Sequence, residues 1–135
     1  MNTKFYHAIS AALGAIANCE KSNNLEMAKE WRAYIDHVVK EHAPSGSGFD
    51  NGTRLDMDKS RPEFLVFSTS FHHMNETGFY DGWSDHLVSI RPAFNGLTIR
   101  VTGRDRNSIK DYIAEIFGNL ENVDAPNLAE FRRAA

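Results

Sequence analysis

The sequence predicts an α+β fold: an N-terminal helical hairpin, an antiparallel sheet of three strands or more, and a C-terminal helix packed on that sheet. Three observations carry it. Apolar residues recur at helical spacing through the first 42 positions and give way to strand-like runs after Phe64. Those runs are joined by turn-forming segments and not by helices, as antiparallel neighbours are. One amphipathic segment near Ile109 then returns to the helical period.

In chain order, Phe5, Ile9, Ala12, Leu13 and Ile16 set a first helix near residues 3–18. A polar turn over Asn18–Asn24 leads to a second, near 24–42, on Leu25, Ala28, Trp31, Ile35, Val38, Val39 and His42. It stops before Pro44, because the residue preceding a proline avoids the α region. Residues 43–61, APSGSGFDNGTRLDMDKSR, read as a long loop, a length that is usually functional or poorly ordered in a small domain. Strands follow at Phe64–Phe71, Trp83–Arg91 and Leu97–Thr102, the last with Leu97, Ile99 and Val101 inward and Thr98, Arg100 and Thr102 outward. Met74–Asp81 reads as a hairpin loop, and Phe94-Asn95-Gly96 as a tighter Asn-Gly hairpin. Ile109, Tyr112, Ile113, Ile116, Phe117 and Leu120 define the third helix, which Gly118 or Asn119 ends.

At 135 residues, with 41% hydrophobic and 24% charged, the chain has the material for one core. A single ligand-binding domain is assigned to residues 1–121, with 122–135 a tail of no strong pattern. A net charge of −3 argues against a nucleic-acid binder, so any anion site must be a local patch. Cys19 has no partner for an internal disulfide and reads as a small buried filler on the first helix, which suits a reducing cytoplasm. No apolar run approaches the ~20 residues of a membrane span, and the N-terminus does not read as a secretory signal.

Two clusters stand out. In GRDRNSIKDYIAEI (Gly103–Ile116) a strand ends and a helix starts, with Asp105 as its cap and Arg104, Arg106 and Lys110 around its first turns. Backbone N–H groups and cations together favour a phosphate there. The bland alternative is a solvated face in which Arg106 and Lys110 pair with Asp105 and Asp111. In FHHMNETGFYDGW (Phe71–Trp83), rings gather beside Gly78 and Gly82, either to stack on a base or to form a satellite core. Asn75 reads a base edge or makes a turn.

Chemistry is harder to find. His72, His73, His86, Glu76, Asp81 and Asp85 are metal-ligand types, but adjacent strand residues face opposite sides and neither HExxH nor CxxC is present. No metal or cofactor is expected. Pro44–Thr53 lacks the Gly-Lys-Ser/Thr of a P-loop; it reads as a connector, or as a lid with Arg54 reaching in. Ser70 lacks a GxSxG context, and Asp56 and Asp58 lie in a polar loop, so no nucleophile or acid–base pair is nominated.

The segments SGSGFDNGT, FSTSFHHMNETGFYDGWSDH and TGRDRNSIKDYI resemble small proteins of phages and plasmids. Over about residues 24–118 the chain is similar to the phage anti-Thoeris sponge proteins of the first-described type. The resemblance implies a non-enzymatic protein that holds cyclic ADP-ribose isomers made by bacterial TIR-domain sensors, and in some members cyclic oligonucleotides. It also implies a homo-oligomer, dimer or hexamer, working in the cytoplasm of the infected bacterial host without a nucleic-acid or membrane partner. An aromatic ring against adenine and arginines on the pyrophosphate would fall to Phe71, Phe79 or Trp83 and to Arg100, Arg104, Arg106 or Lys110. Lys110 departs from a bidentate arginine. The expected ligand set is completed by Arg54, His72 and Asn75. Trp31 and Tyr34 supply either an oligomer interface or cover for the sheet. Two alternatives stand beside the sponge: a metal-dependent nucleotide hydrolase using His72, His73 and His86, and a protein–protein inhibitor with the aromatic loop as its hot spot.

Overall fold

The structure, a computed structural model, describes residues 4–44, 52–94 and 96–134. Helices α1 (Lys4–Lys21) and α2 (Leu25–His42) form the expected hairpin. The Asn24 side chain caps α2 by accepting from the Met27 N–H at 3.3 Å. Ala43 turns to extended geometry ahead of Pro44, as the proline demands. Cys19 is half-buried near the end of α1, and not a core filler.

Strands β1 (Thr53–Leu55), β2 (Leu65–Met74), β3 (Tyr80–Ala93) and β4 (Gly96–Thr102) pair antiparallel in the order β1-β2-β3-β4. β1 corrects the reading of 43–61 as loop throughout. Thr53 pairs with Thr69, their hydroxyls 2.8 Å apart, in a strand too short to carry a readable period. Residues 45–51, most of the proposed lid, lie outside the described residues, as does Asn95 of the Asn-Gly hairpin; Ala93 and Gly96 pair across that connection. The hairpin loop expected over 74–81 is a turn over residues 75–79, with Met74 ending β2 and Tyr80 and Asp81 opening β3. Only a tight turn separates β2 from β3, and the Asn75 side-chain oxygen accepts from the Thr77 and Phe79 N–H groups at 3.0 and 2.9 Å.

One sheet face is the core. Phe67, Phe71, Val88 and Ile90 meet Phe5, Ile9 and Leu13 of α1, Ile35 and Val38 of α2, and Ile113 and Phe117 of helix α3 (Lys110–Gly118). Phe67 lies at the middle, its ring 6.2 Å from Phe5 and 6.0 Å from Phe117. Each such fully buried side chain contributes about 1.5–3 kcal/mol of transfer free energy.

Helix α3 starts at Lys110, and not at Asp105 as the sequence suggests. Asn107 and Ser108 take left-handed angles, φ 57° and 53°, which an α-helix cannot pass through, so Arg106–Ser108 is a separate 3-10 turn. After a second 3-10 turn (Asn119–Asn122), the tail forms helix α4 (Leu128–Ala134). Phe131 of α4 packs against Tyr34 and His37 of α2, at ring separations of 5.8 and 5.0 Å. No described helix is long and apolar enough to cross a membrane.

Candidate ligand-binding face

Among the described residues, the other face of the sheet carries no helix. Alternation along β2 points Val66, Ser68, Ser70 and His72 to that side, and along β3 it points Trp83, Asp85, Leu87 and Ser89. The β4 contribution is Thr98, Arg100 and Thr102. The register stacks these residues into rows. Arg54, Ser68, Leu87 and Thr102 form one row; Ser70 and Asp85 a second; His72 and Trp83 a third; Val66, Ser89 and Arg100 a fourth. Successive rows are two residues apart, about 7 Å along the strands.

The face holds two adjoining grooves of about 420 Å³ each that share Leu87 and Thr102. Arg54, Ser68, Ser70, Asp85 and Gly103 line one; Arg100, Ser89, Val66 and Phe64 line the other. Ser70 donates to the Asp85 carboxylate at 2.5 Å. Arg54 and Arg100 are exposed, and their guanidinium groups have no ion-pair or hydrogen-bond partner among the described residues. Trp83 keeps 56% of its surface exposed at the end of the face.

The remaining expected ligand residues divide into two groups. At the hairpin end, Phe79 is 71% exposed, and the Tyr80 hydroxyl and His72 Nδ1 are 3.0 Å apart. Arg106 is committed: its guanidinium donates to the Asp81 carboxylate at 2.9 Å and to the Asp81 carbonyl at 2.8 Å. The second group does not come together as the expected site. Phe71 lies in the core, edge-on to His86 and Tyr112 at 6.3 and 6.4 Å, so its ring is not presented for stacking. The expected phosphate site at the helix start is filled by the protein's own anion, since Asp105 accepts from the Lys110 N–H at 3.1 Å. Arg104 is exposed and Lys110 half-buried.

The histidines do not form one cluster. His72 is on the open face, whereas His73 and His86 point into the core side. There Ser84 Oγ lies 2.7 Å from His73 Nε2 and 2.8 Å from His86 Nε2. His86 Nδ1 is 3.1 Å from the Thr102 carbonyl oxygen, and His73 Nδ1 is 3.1 Å from the Asn107 side-chain nitrogen. His73, Ser84 and His86 are at most 5% exposed. Burial, with the positive charge of Arg106 next, pushes the His73 pKa below the ordinary imidazole value. Among the described residues, no three His, Cys, Asp or Glu side chains gather as a metal site would require.

Sequence reasoning passed over Ser68 and weighed Ser70 and Asp85 only as nucleophile and metal-ligand types, because only the β2–β3 register brings the three onto one face. The alternation in FSTSF and WSDHL is the signal that held them. Compared with protein families, curated proteins and solved structures, the chain matches none.

Proposed function

We propose that the chain is a non-enzymatic sponge, encoded by a phage, that binds a small cyclic nucleotide on the open sheet face and withholds it from bacterial anti-phage defence. The observation that carries this reading is the order of side chains along β3 and its neighbours. Trp83, Asp85 and the Leu87 row with Arg54 follow one another at about 7 Å steps, the sequence of base, ribose and phosphate in a nucleotide. Trp83 offers a stacking plane, the Asp85 carboxylate an acceptor for a sugar hydroxyl, and Arg54 a bidentate clamp for a phosphate. Arg100, one row further on, suits a second phosphate, and Ser68, Ser70, Ser89 and Thr102 supply hydroxyls around them. The resemblance to anti-Thoeris sponges supports cyclic ADP-ribose isomers as ligands, with cyclic oligonucleotides next.

Sequestration also needs enclosure. An open groove buries less of a ligand than a tight site does, so the proposal includes a homo-oligomer, dimer or hexamer, whose second copy covers the face. The cytoplasm of the infected host is the corresponding location, and neither catalysis nor a cofactor enters the account.

Calorimetric titration with cyclic ADP-ribose isomers tests the reading. Replacing Arg54 by Ala is expected to weaken binding about 10–150-fold, the loss of one charge-assisted bond pair. Equal affinity in Arg54→Ala and Arg100→Ala variants would remove the phosphates from this face.

A further inference from the structure

The chain Asn107–His73–Ser84–His86–Thr102, buried at its three middle members, has only one proton order that leaves both rings neutral. The Thr102 carbonyl can only accept, so His86 Nδ1 carries hydrogen and donates to it. With His86 neutral, its Nε2 accepts, and the Ser84 hydroxyl must be the donor. Ser84 has then spent its hydrogen, so its oxygen accepts from His73 Nε2–H. The free nitrogen of His73, Nδ1, accepts in turn from the Asn107 amide N–H. The reverse order would need an imidazolium at His86, which is 2% exposed.

We propose that His73 and His86 are positioning residues: as neutral rings of opposite tautomer, they lock the Gly103–Ser108 turn onto the sheet, and proton uptake opens the lock. The turn depends on them at both ends. His86 holds Thr102, next to Gly103 on the groove rim, and His73 holds Asn107, whose left-handed backbone breaks the helical path. Arg106, between them, ties the turn to Asp81 at the hairpin end. A proton added at His73 Nδ1 meets the Asn107 N–H head-on, so the amide must turn over or leave. A proton added at His86 Nε2 gives Ser84 a second incoming donor and leaves its own hydrogen without an acceptor in the chain. The charged or titratable groups around His73 are Arg106 from the turn, Asp81 and His86 from β3, and the neighbouring His72. Of these, only Asp81 favours the proton, and its carboxylate is already paired with Arg106.

The lock stands on the geometry alone; only its effect on affinity rests on the proposed ligand face. Nitrogen-15 NMR of the full chain labelled at histidine reads both tautomers directly. At about pH 7.5, one unit above the ordinary imidazole pKa, His86 is expected as the Nδ1–H form and His73 as the Nε2–H form. Acidification to about pH 5, below the ordinary imidazole value, is expected to speed amide exchange over residues 104–109 about tenfold in step with ring protonation, ahead of the core amides of Val88 and Ile113. The same tautomer on both rings, an imidazolium at neutral pH, or exchange in the turn that ignores ring titration would overturn the proposal. Ser84→Ala should loosen the turn at every pH while Ser84→Thr keeps it. If the alanine variant does not fold, the wild-type tautomers still decide. Titration with ADP at both pH values adds the functional arm. Affinity falling with acid supports coupling of the lock to the face, and affinity rising, as simple attraction to imidazolium would give, refutes that coupling. No ADP binding at either pH counts against the ligand face and leaves the tautomer result to judge the lock.

Discussion

Replacing Gly103 by alanine tests how tightly the β4–α3 turn is held. Gly103 has φ +112°, a region in which an L-residue is strained by about 1–3 kcal/mol. A Cβ there would lie 2.6 Å from the Asp85 carbonyl oxygen and 2.9 Å from His86 Nδ1. An ordinary C···O approach is about 3.3–3.6 Å, so the turn must retreat by about 0.7 Å or more from a backbone atom that cannot swing aside. That retreat pulls Thr102 from His86, with the loss of about 1 kcal/mol for their hydrogen bond. The expected destabilisation is about 2–5 kcal/mol, or roughly 7–18 °C in melting temperature for a chain of this size. Thermal unfolding followed by circular dichroism measures it. Gly14→Ala is the control, because nothing lies within 4 Å of its new methyl and alanine is the better helix former. A Gly103→Ala protein melting within about 1 °C of the parent would refute the close approach.

Three further outcomes follow from the same structure. His73 has its folded pKa below its unfolded one, so the unfolded chain binds more protons between the two values. Stability is therefore full above about pH 6.5 and falls as pH drops toward the folded pKa, by about 1.4 kcal/mol per pH unit crossed; denaturant midpoints that are flat or rise on acidification would contradict it. Phe67→Ala, at a site with no exposed surface between Phe5 and Phe117, should cost about 3–5 kcal/mol in chemical denaturation. Trp83→Ala should weaken nucleotide binding by about 1–3 kcal/mol in calorimetry and shift stability by less than about 0.5 kcal/mol, since the ring is mostly exposed.

Periodicity made the helical hairpin, the sheet and α3 legible, because each presents a continuous apolar face to the core. Its failures are local. β1 is three residues long, and no period can be read from Thr53 to Leu55. α4 is held by Phe131 against α2, a tertiary contact that a seven-residue segment does not announce. The α3 boundary was misplaced because Asp105 resembles a cap, whereas Asn107 and Ser108 turn left-handed; the carboxylate still caps Lys110 from five residues away. Of the candidate site, the aromatic hairpin and the arginines were visible as residue types. What joins Arg54 to Asp85 and Trp83 is strand register, and what separates His72 from His73 is the pleat; only the second was readable without the fold.

The central claim is that the open face binds a cyclic nucleotide and returns it unchanged. The direct test is calorimetric titration with cyclic ADP-ribose isomers and cyclic di- and trinucleotides, followed by heat release and chromatography of the bound ligand. The expected result is a Kd of roughly nanomolar, about −12 kcal/mol, with intact ligand recovered and affinity weakened on replacing Arg54 or Trp83. A cleaved product, or no binding by any of these nucleotides, would contradict it.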